Sequence, residues 1–220
     1  MQKVAEILGR VNTLLVDSAG LRWPRMELLD HYNDAIRAII IVRPDAGESS
    51  ETLTCVPGTR QQLPDGANRL LDISRTVGGR VVRPVPRDVL DSQFPDWHQM
   101  SGTIENYCYD DQTPKTYYVF PGAVDGDQLE AVVSRIPPPV SLDVVDSEEG
   151  FPVALDELYI NPIIEWMLYR CFSKDSQNGA AMGLATAHYQ AFNDQLGIKT
   201  QAEAANGQRK REQYNGSTQA

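Results

Sequence analysis

The residues most able to do chemistry lie in one stretch, 95–122, which reads PDWHQMSGTIENYCYDDQTPKTYYVFPG. This stretch gathers His98, Glu105, Cys108, Asp110 and Asp111 among aromatic residues. Imidazole, thiolate and carboxylate groups are the usual zinc ligands, so a site built from the histidine, the cysteine and an aspartate is one hypothesis. It would make the protein a small hydrolase, and it requires three side chains to converge at ligand distance.

The alternation of the same residues favours a structural interpretation. Ile104, Asn106 and Cys108 alternate with Glu105 and the tyrosines, which is the period of a β-strand. A polar loop follows at residues 110–115, and Tyr117 begins a returning strand in which tyrosines would face one another across the hairpin. We therefore predict a hairpin and no functional metal at His98, Cys108 and Asp110.

Other chemical signatures point the same way. The sequence contains no GxxxxGK[ST], GxGxxG, HExxH, GxSxG or CxxC pattern. Asp125-Gly126-Asp127 resembles part of a calcium loop but fits a hairpin turn better, because Asp-Gly readily supplies positive φ. A Ser/His/Asp triad remains open, since its members need not be neighbours in sequence. We predict no enzyme activity, catalytic residue or cofactor.

Composition describes an ordinary globular chain with a strong acidic bias. The 220 residues are 41 % apolar and 23 % charged, and the formal net charge is −10. Such a charge disfavours non-specific duplex binding, which needs clustered lysine and arginine, but it suits a channel through which DNA passes. Three widely spaced cysteines indicate a reduced protein, and no stretch is long and apolar enough to span a bilayer.

The period of the apolar residues changes twice along the chain. Helical spacing covers residues 4–16 and the segment from Trp23-Pro24 to residue 42, short strand-like runs with Gly and Pro turns fill residues 52–136, and helical spacing then returns. The second pair of helices starts at Pro162 and at Asn178, the last ending at Gly197. On that last helix a narrow face of small residues would permit close helix packing; it consists of Ala180, Gly183, Leu184, Ala187 and Ala191.

These changes predict an α+β fold with an α-helical bundle formed by the N- and C-terminal helices and an inserted antiparallel β-sandwich or barrel domain. The predicted bounds are 1–45 and 151–198 for the bundle, 46–150 for the β domain and 199–220 for a flexible tail. In the bundle core we expect Ile36 and Ile40 to lie with Trp166 and Leu168.

The polar tail, residues 199–220, contains too few apolar side chains to bury the surface needed to fold alone. It carries Arg209, Lys210 and Arg211 in a row and then Tyr214, on an otherwise acidic protein. It is either a solvated end or a partner-binding segment in which the tyrosine anchors and the basic run meets carboxylates.

The order of elements, together with three local patterns, resembles the head-to-tail adaptor (connector) proteins of short-tailed bacteriophages, the tail-tubular-protein-A type, over about residues 1–200. The first pattern is Trp23 opening a helix that runs through the NDAI of Asn33 to Ile36. The second is Trp97, then TIENYCYDDQTPKTYYVFPG, then a strand ending in Pro-Pro. The third, and most specific, is LDELYINPIIEWMLYRCFSKD followed by a helix containing AHYQAFNDQLG.

The resemblance implies a structural virion protein at the head–tail junction, present in the host cytoplasm during assembly. It implies a ring, usually of twelve copies, that binds the portal protein and the next tail component (nozzle or tail tube) and lets genomic DNA pass without sequence-specific binding. It implies no membrane and no catalytic residue. Two alternatives stay open on the residues alone: a small hydrolase, and a monomeric module that binds protein or carbohydrate.

Overall fold

The computed structural model describes residues 1–174 and 179–216, with residues 198–216 described as helical backbone only. The described chain is a mixed α+β fold with six α-helices and two β-sheets. By its internal contacts it divides into two compact units, Met1–Val42 with Pro138–Ala220 and Arg43–Pro137.

The helical unit begins with two helices whose apolar spacing is that of the sequence. Helix α1 spans Val4–Leu14 and α2 spans Arg25–Val42. The helical apolar spacing of α2 is confirmed by the burial of seven apolar side chains, those of Leu28, Leu29, Tyr32, Ala35, Ile36, Ile39 and Ile40. On α1 the apolar stripe expected to be buried is confirmed except at Leu14, which is 56 % exposed because the helix ends there and the chain turns away; the other positions are Val4, Ile7, Leu8, Val11 and Leu15.

The remaining helices of this unit come from the C-terminal part of the chain. They are α4 (Leu142–Val145), α5 (Ile160–Ser173) and α6 (Gly179–Gly216), with a 3₁₀ turn at Glu157–Tyr159 before α5. Helix α5 contacts α1, α2 and α6 and is therefore the central element. The predicted start of this helix at Pro162 is wrong by two residues. The preceding 3₁₀ turn leads directly into α5, which begins at Ile160.

Specific hydrogen bonds join the first residues of the chain to this C-terminal part. The Val4 N–H donates to the Phe151 carbonyl at 2.8 Å, and the Val153 N–H donates to the Gln2 carbonyl at 2.9 Å. The side chain of Asn33 on α2 both accepts from the Val140 N–H and donates to the Val140 carbonyl, at 2.9 and 3.0 Å. The segment that leaves the β unit is thereby held against α2.

The core positions predicted for the helices are mostly correct. Ile36, Ile40 and Leu168 are all buried, and α2 packs on α5. Trp166 is only half-buried, and its ring lies against Tyr189 and Phe192 of α6.

The β unit contains seven strands in two sheets, and the barrel alternative is wrong because neither sheet closes. One sheet has the order β1-β7-β3 and the other β2-β6-β5-β4. The strands are β1 Glu48–Thr54, β2 Gly58–Gln62, β3 Ala67–Thr76, β4 Arg83–Pro84, β5 Asn106–Tyr109, β6 Thr116–Ala123 and β7 Gln128–Arg135. Buried residues from both sheets form one apolar cluster.

Pairing between the seven strands is antiparallel with one exception, which corrects the prediction of an antiparallel domain. The two-residue strand β4 runs parallel to β5, because a crossover containing α3 (Arg87–Gln93) and a 3₁₀ turn at Trp97–Gln99 separates them in sequence.

The last helix differs most from the prediction. Helix α6 continues through Gly197 to Gly216, so the predicted helix end at Gly197 is wrong, and residues 199–216 of the predicted flexible tail are helical. An added Cβ at Gly197 would meet nothing within 4 Å, and glycine in a helix interior costs only about 1 kcal/mol relative to alanine. Residues 217–220 of the predicted tail lie outside the described residues.

Candidate functional surfaces

The structure gives each of the three metal-ligand candidates a structural contact. His98 stacks on the Trp97 ring at a centroid distance of 3.7 Å, and its Nδ1 lies 2.8 Å from the Thr59 hydroxyl. Cys108 is buried on β5, and burial raises the pKa of its thiol to about 11. The Asp110 carboxylate lies in the loop after β5, where it accepts the Gln112 N–H at 2.9 Å.

These contacts bear on the hydrolase alternative. A thiol with a pKa near 11 is protonated at neutral pH and is a poor nucleophile or metal ligand. Among the side chains described, those of residues 1–174 and 179–197, no group of three or more His, Cys, Asp or Glu is placed to hold a metal ion.

Trp97 organises this part of the β unit. The ring is buried with Leu90 of α3 and Cys108 in a small apolar cluster, against which Tyr118 and Phe120 of β6 pack. Its indole N–H donates to the Asp91 carboxylate at 2.8 Å, which satisfies the polar atom that a buried tryptophan brings with it. Trp97 therefore fixes the crossover onto the β5–β6 hairpin.

The hairpins themselves confirm the structural interpretation of residues 95–122. Strands β5 and β6 pair with Tyr109 opposite Tyr117, as predicted for facing tyrosines. Both tyrosines pack on the main core of the β unit. The calcium-like sequence Asp125-Gly126-Asp127 is the turn between β6 and β7: Gly126 has φ +88°, and the Asp127 carboxylate accepts the Val124 N–H at 2.9 Å.

An aromatic cluster between α5 and α6 went unnoticed in the sequence. The centroid of the Trp166 ring lies 5.0 Å from that of Phe192, and that of Tyr169 lies 5.0 Å from that of Tyr189. The available signal was the spacing of three within each pair, 166/169 and 189/192, which puts both members on one side of a helix. Beside this cluster, His188 Nδ1 lies 2.7 Å from the Glu165 carboxylate.

The small-residue face predicted for α6 is only partly exposed, since its member Ala191 is half-buried. The α6 side chains buried against the rest of the unit are Ala181, Ala185, Phe192 and Leu196. Gly183, Leu184 and Ala187 are exposed instead, and an added Cβ at Gly183 would meet nothing within 4 Å.

The predicted partner-binding residues lie near the end of the same helix. Arg209, Lys210, Arg211 and Tyr214 fall on α6 between residues 198 and 216, where the backbone is described and the side chains are not. Their role as a binding segment stays a prediction.

His31 is a buried titratable group of the helical unit. It lies on α2, 9 % exposed, and neither ring nitrogen has a hydrogen-bond partner among the described residues. Burial lowers the pKa of His31, and the nearby Arg170 guanidinium lowers it further, against the opposing effect of Glu27. The ring is therefore neutral at neutral pH.

The described residues form a mixed α+β protein. Among them, no helix combines the length and the apolar character required to cross a bilayer. Residues 2–214 match the family model described as SU10 adaptor protein, and the chain belongs to this family. No curated protein matches the chain.

Family membership confirms the resemblance to head-to-tail adaptors, since SU10 is a short-tailed phage type. It makes the protein a phage adaptor and a component of the virion. The family is one of structural phage proteins and is not an enzyme family.

Proposed function

We propose that the protein is a head-to-tail adaptor that assembles as a ring of twelve copies under the portal, connects the capsid to the tail and lets the genome pass during ejection. The observation that carries this proposal is the family match over residues 2–214. Its partners are then further copies of itself, the portal protein, the next tail component (nozzle or tail tube) and the DNA in the lumen. Assembly takes place in the host cytoplasm.

Two features of the chain support a ring with a central passage. The net charge of −10 disfavours retention of DNA on the wall of a channel. The exposed small-residue face at Gly183, Leu184 and Ala187 offers a helix surface on which a neighbouring copy can approach closely.

The direct experiment measures the mass of the purified protein alone and after mixing with purified portal rings, by native mass spectrometry and negative-stain imaging. We expect twelve copies on each portal. A protein that stays monomeric and leaves the portal bare would refute the proposal and favour a monomeric binding module.

A charge variant tests the ring contact. Ala187→Glu places a carboxylate on the exposed small-residue face, whereas Asn193→Glu makes the same change on another exposed side of α6. We expect the first variant to weaken assembly about tenfold or more, because a desolvated unpaired charge costs several kcal/mol. The second should assemble normally, and both should keep the melting temperature of the unmodified chain. Equal assembly of the two variants would exclude this face from the contact.

We further propose that the end of α6 binds the portal through Arg209, Lys210, Arg211 and Tyr214. Residues 199–220 carry four basic and two acidic side chains, a net +2 on a chain of net −10. Deleting them should leave the melting temperature nearly unchanged and should weaken portal attachment, most strongly at low salt where charge attraction is least screened. A truncated protein that binds portals as well as the full chain would contradict this role.

A further inference from the structure

The two sheets of the β unit have four edge strands, and three of them are protected. Strand β3 carries three register shifts, β2 is five residues long with one shift, and β4 has two residues, one of them Pro84. Bulges, short length and proline are the usual means of preventing an edge from pairing with another strand.

Strand β1 has none of these protections. It pairs with β7 over seven residues, from Glu48 to Thr54, without any register shift. Its sequence, ESSETLT, contains no proline and no lysine. It is the edge of the sheet, with β7 as its one neighbouring strand among the described residues.

The register defines which backbone groups of β1 point outward. The Cys55 N–H donates to the Asp127 carbonyl in continuation of the β1–β7 register. Hydrogen-bonded pairs alternate in an antiparallel ladder, so Leu53, Glu51 and Ser49 bond to β7. The N–H and C=O groups of Ser50, Thr52 and Thr54 therefore face away from the sheet.

The surroundings leave this outward edge open. Glu48, Ser50, Thr52 and Thr54 are all exposed. The carboxylate of Glu51 is already bonded to Arg135, with a charge-assisted contact of 2.7 Å. Glu48 has no ion-pair partner among the described residues and leaves one negative charge at the start of the strand.

We propose that β1 is a docking edge to which an extended segment of another virion protein adds as an antiparallel strand. Main-chain hydrogen bonds to Ser50 and Thr52 supply the affinity, as in other cases of strand addition. Side chains supply the selectivity: β-branched or small polar residues fit beside Ser50 and Thr52, and a lysine or arginine near the end of the segment fits beside Glu48.

A different protein fits the edge better than a second copy, and this step rests on the proposed ring. In a ring of identically oriented copies, each contact joins two different surfaces. Strand β1 would then have to pair with another edge of the neighbour, and the three other sheet edges are protected. Pairing of β1 with β1 needs a two-fold axis that such a ring lacks.

The test is residue-resolved amide hydrogen exchange on the purified full-length protein and on purified virions. In the purified protein we expect rapid exchange at Ser50 and Thr52 and slow exchange at Glu51 and Leu53, which bond to β7. In virions the exchange at Ser50 and Thr52 should slow by about tenfold or more. The same amides exchanging rapidly in virions would overturn the proposal.

A matched pair of variants locates the effect. Thr52→Pro removes an outward N–H without touching the β1–β7 ladder, whereas Thr52→Val keeps that N–H. Virions carrying Thr52→Pro should lose the protection at Ser50, with Leu53 still slow, and virions carrying Thr52→Val should keep it. Retained protection with the proline would contradict strand addition.

The outcomes separate this inference from the proposed ring. Slow exchange at Ser50 and Thr52 already in purified rings would mean that a neighbouring copy covers β1, which overturns the choice of occupant. A protein that never forms rings refutes the proposed function, while the exchange measured in virions still decides whether β1 is covered there.

Discussion

Replacing Asn33 with alanine removes both hydrogen bonds between its side chain and Val140. Asn33 opens the NDAI pattern on α2, and its amide holds the segment that follows the β unit. We expect Asn33→Ala to loosen this attachment and to destabilise the helical unit. The β unit should be unaffected, because the contact joins two parts of the helical unit.

The size of the effect follows from the geometry. The two bonds measure 2.9 and 3.0 Å, and both residues are half-buried. A hydrogen bond of this kind contributes a net 0.5–1.5 kcal/mol, so losing two costs about 1–3 kcal/mol. Partial access of water to Val140 places the expected cost in the lower half of that range. For a chain of this size the melting temperature of the unit should then fall by about 2–8 °C.

The three tryptophans allow each unit to be followed separately. Trp23 and Trp166 belong to the helical unit and Trp97 to the β unit. With 5-fluorotryptophan incorporated, thermal unfolding monitored by ¹⁹F NMR should show an earlier midpoint for the first two signals and an unchanged midpoint for Trp97.

The neighbouring residue provides the control. Asp34→Ala removes exposed ion pairs to Arg37 and Arg170, at 3.3 and 4.0 Å, and pairs of this kind contribute at most about 1 kcal/mol. The reasoning would be refuted if Asn33→Ala melted like the unmodified chain, or if Asp34→Ala lowered the midpoint equally.

Four further predictions concern stability and reactivity. Leu168→Ala in the core should cost about 2–5 kcal/mol in urea unfolding, whereas Leu158→Ala, at a side chain that is 70 % exposed, should cost under about 0.5 kcal/mol. Because the folded pKa of His31 is lowered, the unfolded chain binds the proton more readily, so unfolding free energy should fall as pH drops below about 6.5; His31→Leu should flatten this dependence. The three buried thiols, with pKa values of about 11, 11 and 12, should resist iodoacetamide at pH 7.5 until urea is added. Metal analysis of the purified protein should find no stoichiometric zinc, and zinc that disappears in His98→Ala together with portal binding would contradict the structural interpretation of that stretch.

The sequence predicted best those elements whose side chains repeat on one buried face. Helix α2 lies where expected, and strand β7 shows a repeat of the same kind, because burial of an apolar stripe dominates the energy of each element. Strand β2, with the sequence GTRQQ, shows no apolar repeat, since only Thr59 and Gln61 face inward and neither is apolar. The Gln61 amide is nevertheless buried and bonded to the backbone of Val56 and Gly58, which is a contact that no periodicity reveals.

The end of α6 was mispredicted for a related reason. Glycine at position 197 and polar residues after it are typical of a helix end. A helix can nevertheless continue through a polar segment, because propagation adds one backbone hydrogen bond for each residue. The local sequence alone does not determine where this propagation stops.

Candidate binding surfaces are the features that sequence reasoning reaches least. The small residues of α6 were recognised as a packing face, but the sequence does not show that Ala181 and Ala185 are the buried ones and that Gly183 is exposed. Likewise, alternation in ESSETLT tells which side chains face solvent, and it cannot tell whether the backbone of Thr52 has a strand on both sides. That depends on sheet order, which distant residues decide: β7 and β3 fill the other positions of this sheet. An adaptor binds its partners through groups that its own fold leaves unpaired. Such groups can be identified only when the neighbours of each strand and helix are known.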